Sequence, residues 1–150
     1  MQILNLADRP AHLPTVARWV WQEFHHHSDL SEAQTRERLL DPPDCPPTLL
    51  AEDAGDPVGV LGFQRFVRNP GEAPSLFIDA VFVPESHRGR GFGRALVHEG
   101  IERARAFAAD LYVYTSRQDW YRRHGWTLLR VDPVSGLFVL TRSTSPDAGS

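Results

Sequence analysis

Residues 87 to 96 read HRGRGFGRAL. Gly89, Gly91 and Gly93 alternate with Arg88, Arg90 and Phe92, Arg94 follows, and a helical pattern begins there. Glycine allows a close approach of the backbone, and arginine favours an anion. A helix start adds free N–H groups and the positive end of its dipole, so the stretch suits a phosphate-bearing anion. A Walker A loop requires lysine, but all 16 residues counted as Lys+Arg are arginine. The same lack rules out a lysine Schiff base or general base. A dinucleotide fingerprint requires G-x-G-x-x-G with an acidic residue ending the next strand. Here the spacing is G-x-G-x-G and the next strand ends in Thr115. Two readings remain. In R-x-x-G-x-G, matched by Arg88, Gly91 and Gly93, successive backbone N–H groups form a concavity for a pyrophosphate. Alternatively, the stretch is a glycine-rich helix start that binds nothing.

Asp79 is the second residue with chemical potential. It interrupts SLFIDAVFV, an otherwise apolar run, and an unpaired buried carboxylate is costly. It is a base acting directly or through water, a holder of a cationic substrate, or a group bonded to neighbouring backbone. On a strand without a bulge it shares a side with Val81 and Val83. Glu85 reads as a solvated loop residue. His25, His26 and His27 are adjacent, and adjacent helical residues point in different directions, so no metal site is expected. Cys45, the only cysteine, sits in DPPDCPP and reads as an incidental loop thiol in a reducing compartment.

These residues need a frame to position them. Ile3 to Leu6 form a weak first strand. Asp8 then caps a helix that carries Leu13, Val16, Ala17, Val20, Trp21 and Phe24 at helical spacing. Ser31 and Gln34 make an S-x-x-Q capping box for a second helix, which ends at Leu39 and Leu40 before Pro42. TLLAED and VGVLGFQRFV read as a hairpin about AGDP. SLFIDAVFV reads as a strand buried on both faces. A long helix after the glycines buries Leu96, Val97, Ile101, Ala104, Phe107 and Ala108 and runs to about Ala109. LYVYT is the fifth strand. A short helix bracketed by Ser116 and Asp119 stops at Gly125, and WTLLRV and LFVLT close the sheet about DPVSG. Trp126, and with it Trp120, is expected in the core. The order β-α-α-β-β-β-α-β-α-β-β contains one parallel β-α-β crossover inside a mixed sheet.

At 150 residues and 41% hydrophobic, the chain suits one soluble domain over residues 1–142, with a polar tail over 143–150. A net charge of −3 argues against non-specific nucleic-acid binding. No apolar run reaches membrane-spanning length, so neither a membrane partner nor a leader is expected, and a cytoplasmic location is.

VFVPESHRGRGFGRALV resembles the acetyl-CoA-binding signature of the GNAT superfamily of N-acetyltransferases. LYVYTSRQDWYRRHGW resembles the second signature, in which a tyrosine precedes a closing Gly-Trp, and is similar to a branch of small bacterial members. The resemblance spans residues 1–142 and implies an α/β (α+β) fold: a mixed, mostly antiparallel sheet with its central strands splayed, flanked by about four helices. It implies an enzyme that moves an acetyl group from acetyl-CoA, as cosubstrate, to the primary amine of a small molecule or peptide. The backbone of Val81, Phe82 and Val83 would pair with the pantetheine arm. The backbone of Arg88, Gly89, Arg90, Gly91, Phe92, Gly93 and Arg94 would hold the pyrophosphate. Tyr121 would protonate the leaving thiolate and Asp79 is the candidate base, with Glu23 and the three histidines near the acceptor. Val83-Pro84 departs from the usual V-x-P-x-x-R, although the spacing from Val83 to Arg88 is kept. Homodimers are frequent in that superfamily. The competing reading is a non-catalytic acyl-CoA-binding or sensing module that keeps the glycine loop but does not need Tyr121.

Overall fold

Alternating apolar faces give this chain a sheet covered on both sides. The computed structural model describes residues 1–24 and 29–146. The strands are β1 (Gln2–Asn5), β2 (Leu49–Asp53), β3 (Asp56–Phe66), β4 (Ser75–Phe82), β5 (Asp110–Thr115), β6 (Thr127–Val131) and β7 (Phe138–Ser143). The helices are α1 (Leu13–Phe24), α2 (Glu32–Leu40), α3 (Phe92–Ala104) and α4 (Gln118–Arg123). The sheet order is β1-β2-β3-β4-β5-β7-β6. Every neighbouring pair is antiparallel except β4 and β5, which α3 joins as the expected parallel crossover.

Two clusters of buried side chains lie on the two faces. One packs Leu61, Phe63, Ile78, Leu111 and Leu140 with Leu96, Val97 and Ile101 of α3 and Tyr121 of α4. The other packs Leu50, Val60 and Ala80 with Val16, Ala17 and Val20 of α1 and Leu39 of α2. Close packing at Gly59 seats α3 on β3. A Cβ there would lie 2.8 Å from Leu96 Cδ1 and 3.4 Å from the Phe82 carbonyl oxygen.

Helix starts and ends depart from the sequence pattern in three places. The chain makes 3-10 turns at Leu6–Asp8 and Pro10–His12, so α1 begins at Leu13 and Asp8 does not cap it. Helix α3 ends at Ala104; Phe107, placed on its buried face by spacing, is 41% exposed. The Ser116–Asp119 capping box does not form: Arg117 is the N-cap, and its own N–H is held by Thr115 Oγ1 at 2.9 Å. The Ser31–Gln34 box does form, with both reciprocal bonds, at 3.1 and 2.8 Å.

Trp126 is in the core, and Trp120 packs half-buried against it. Cys45 is not a loose loop thiol. It is buried in the core, and that burial raises its pKa against the opposing effect of Arg65. Among the described residues no helix is long and apolar enough to cross a membrane.

Candidate active site

The parallel β4–β5 ladder is short. Phe77 pairs with Tyr112 and Ile78 with Val113, and the strands then part. Beyond that point β4 pairs with β3, through Ala80, Val81 and Phe82 opposite Gly62, Leu61 and Val60. Among the described residues the other edge of residues 81–83 has no strand partner, so its backbone groups face a gap. A cleft of about 1380 Å³ occupies that gap, reaching from α1 and α2 to the glycine turn.

A bulge lies where the strands part. The pairing of β4 with β3 skips from Ala80–Gly62 to Ile78–Phe63 and leaves Asp79 as the extra residue. A bulge breaks the two-residue alternation, so the condition under which Asp79 was expected to share a side with Val81 and Val83, an unbulged strand, is not met. Asp79 lies on the cleft wall, open to solvent along the cleft but closely surrounded by protein. Burial raises its pKa, and Arg38 partly opposes that shift.

The glycine turn follows β4. Gly89 and Gly91 have φ of +79° and +83°, and Gly91 is the N-cap of α3. A Cβ at either would meet no protein atom within 4 Å. Their backbone conformation favours glycine, and the space a side chain would fill is left open. The first-turn N–H groups of α3 have no intrahelical acceptors. This cradle fits a pyrophosphate.

The arginines divide their roles. Arg88 Nε donates to the Val83 carbonyl oxygen at 2.8 Å and so pins the turn to the end of β4. Arg90 donates to Asp53 Oδ2 at 3.1 Å and lies over the Phe92 ring, and it does not line the cleft. Arg94 does line it. The other site residues foreseen from sequence, Val81, Phe82, Val83, Gly93 and Tyr121 among them, also line this one cleft.

Tyr121 stands on the far wall, on α4. It is 6% exposed and wedged edge-on between Trp120 and Trp126, with ring centroids 4.8 and 5.3 Å away. Burial pushes its pKa up to about 12, against a smaller lowering by Arg117. Next to it, His124 Nδ1 lies 2.7 Å from the Trp120 carbonyl oxygen. A carbonyl only accepts, so Nδ1 carries the proton in that bond.

The profile of the acetyltransferase (GNAT) family matches residues 13–126. The chain belongs to that family. It is therefore an acyltransferase, and its fold is the GNAT fold. An aminoglycoside 6'-N-acetyltransferase solved with coenzyme A superimposes with a TM-score of 0.77 at 14% identity, over 97% of this chain and 98% of the other. The corresponding enzyme of Enterococcus faecium gives 0.75 at 14%, over 97% and 98%. The yncA protein of Salmonella typhimurium, solved with its cofactor acetyl-CoA, gives 0.73 at 20%, over 100% and 97%.

Among the side chains lining this GNAT cleft that were not singled out in the sequence are Arg38, Arg117 and His124. Arg38 lies on the polar face of an ordinary amphipathic helix and carries no local signal. His124 and Arg117 flank Tyr121 within the second signature, which was their only cue. Glu23, at the end of α1, also lines the cleft. His25, His26 and His27 lie outside the described residues. Among the described residues no group of three metal-ligating side chains comes together.

Proposed function

We propose that this GNAT protein moves an acetyl group from acetyl-CoA to a primary amine by direct attack of the amine on the thioester. The observation that carries the reading is the parted edge of β4, lying in one cleft between the open glycine cradle and Tyr121. Acetyl-CoA supplies an activated carbonyl on a good leaving group. The backbone of Val81, Phe82 and Val83 takes the pantetheine arm as an added strand, with the Val83 carbonyl already engaged by Arg88. The α3 start and the residues from Arg88 to Arg94 take the pyrophosphate.

Asp79 accepts the proton that the incoming ammonium must lose, directly or through a water. Its raised pKa makes it a stronger base than an ordinary aspartate. Backbone N–H groups near Val81 receive the developing oxyanion. Tyr121, kept protonated by its pKa of about 12, donates to the departing sulfur. Over the whole reaction a C–N bond forms, a C–S bond breaks, the amine loses a proton and the sulfur gains one. The likeness to aminoglycoside acetyltransferases favours a small-molecule amine over a peptide.

The test is thiol release across a broad amine panel, with mass-spectrometric detection of the acetylated amine, for the wild type and Tyr121→Phe. Acetylated products are expected, and Tyr121→Phe is expected to lose about 10²-fold or more in turnover, the usual weight of a general acid. Acetyl-CoA binding without thiol release from any amine would contradict catalysis and favour an acyl-CoA-binding module.

A further inference from the structure

Asp79 does not face an empty wall. Helix α2 closes the acceptor end of the cleft, and its last turn is fixed in two ways. Thr48 Oγ1 donates to the Leu39 carbonyl oxygen at 2.6 Å, and Leu39 packs on Gly62, where a Cβ would lie 3.5 Å from its Cδ2. Gly62 pairs with Ala80, the residue after the bulge. This brings Arg38, next to Leu39, into the same cleft as Asp79. Burial raises the pKa of Cys45 most, and Cys45 also lies close enough to feel both charges, Asp79 raising its pKa and Arg38 lowering it.

Arg38 is exposed to the cleft and has no hydrogen bond or ion pair among the described residues. Several arginines that border the sheet are tied down, in contrast to Arg38. Arg65 donates to the carbonyls of Asp44, Pro74 and Phe107, and Arg90 to Asp53. A guanidinium and a carboxylate that line one cleft without closing on each other leave a place for a ligand carrying both opposite charges. A free amino acid fits: its ammonium meets Asp79 and its carboxylate meets the planar fork of Arg38. A simple amine leaves Arg38 unmatched, and a polycation is repelled by it.

We infer that the acceptor is a free amino acid, whose carboxylate is held by Arg38 while Asp79 faces the amine that is acetylated. This rests on the acetyl-transfer reading of the same cleft.

The test uses matched acceptors at saturating acetyl-CoA: free amino acids, their carboxamides and their decarboxylated amines, each rate corrected to its free-amine fraction. The acids are expected to lead in kcat/KM by about 10- to 100-fold, the usual weight of a charge-assisted pair. Arg38→Gln should raise KM for the acids by a similar factor, leave acetyl-CoA affinity unchanged and bring the acid-to-amide ratio towards one. Arg38→Lys should restore part of the ratio. Three results would overturn the inference: amides or amines used as well as the acids, equal losses on all three series in Arg38→Gln, or no acetylation of any amino acid while acetyl-CoA binds. Failure of acetyl-CoA itself to bind would instead overturn the cofactor reading, and this inference with it.

Discussion

Ile78 stands opposite Val113 on the last rung of the parallel β4–β5 ladder, and the next residue of β4, Asp79, is bulged out of register with β3. The place where the sheet opens and the place where a carboxylate enters the cleft are therefore one place. A bulge bends a strand and re-aims its side chains, which couples the exposed edge of residues 81–83 to the position of Asp79, the proposed base.

Asp79→Asn separates stability from activity. The folded-state pKa of Asp79 is raised, so its protonated form is favoured in the fold. That contribution is fully present below the ordinary carboxylate value of about 4 and is lost as pH rises through the raised one. At pH 7 the charged side chain weakens the fold. Thermal melts should show Asp79→Asn equal to or more stable than the wild type at pH 7, with the difference vanishing below about pH 4. Turnover should fall sharply, and the acidic limb of the wild-type pH profile, expected above the ordinary aspartate range, should disappear. A variant that is destabilised at pH 7 would point to a structural Asp79.

Tyr121→Phe should fold normally, because burial and ring contacts place the side chain and its hydroxyl supports none of them. Acetyl-CoA affinity should be kept. With the pKa at about 12, Tyr121 should produce no alkaline limb in kcat up to pH 10. A tyrosine-dependent limb below that pH would contradict its assignment as a buried, protonated donor.

Gly91→Val tests the cradle, and Gly55→Val is its control. Both glycines have strongly positive φ, +83° and +84°, and neither has a protein atom near a Cβ. Both variants should lose about 1–3 kcal/mol in denaturant unfolding from backbone strain. Only Gly91→Val should also weaken acetyl-CoA binding, because only its side chain enters the proposed pyrophosphate site. Equal affinities in the two variants would argue against that site.

Gly59→Ala tests the seat of α3. The added methyl would lie 2.8 Å from Leu96 Cδ1, at a buried position. Overpacking of this kind costs about 1–3 kcal/mol, measurable by denaturant titration.

The sequence was most legible where its signals are local. Element order followed from period and punctuation, and the Ser31–Gln34 box formed as its spacing requires. The glycine turn was legible because positive φ and close approach both select glycine. The bulge at Asp79 was not legible, since register is settled by β3, a partner distant in sequence. Phe107 fits a helical period, but α3 stops one turn earlier as the chain turns towards β5, leaving the ring in solvent. Arg90 had the right type and spacing for an anion, yet Asp53, 37 residues away, holds it outside the cleft. Arg38 entered the cleft only through the packing of α2 on Gly62.

The most direct measurement is a calorimetric titration of the purified protein with acetyl-CoA, with NAD and dephospho-CoA as comparisons. Saturable micromolar binding of acetyl-CoA and none of NAD is expected if the glycine cradle and the free edge of β4 hold a pyrophosphate–pantetheine ligand. No binding of acetyl-CoA would contradict the proposed site, and the transferase reading built on it, before any amine is tried.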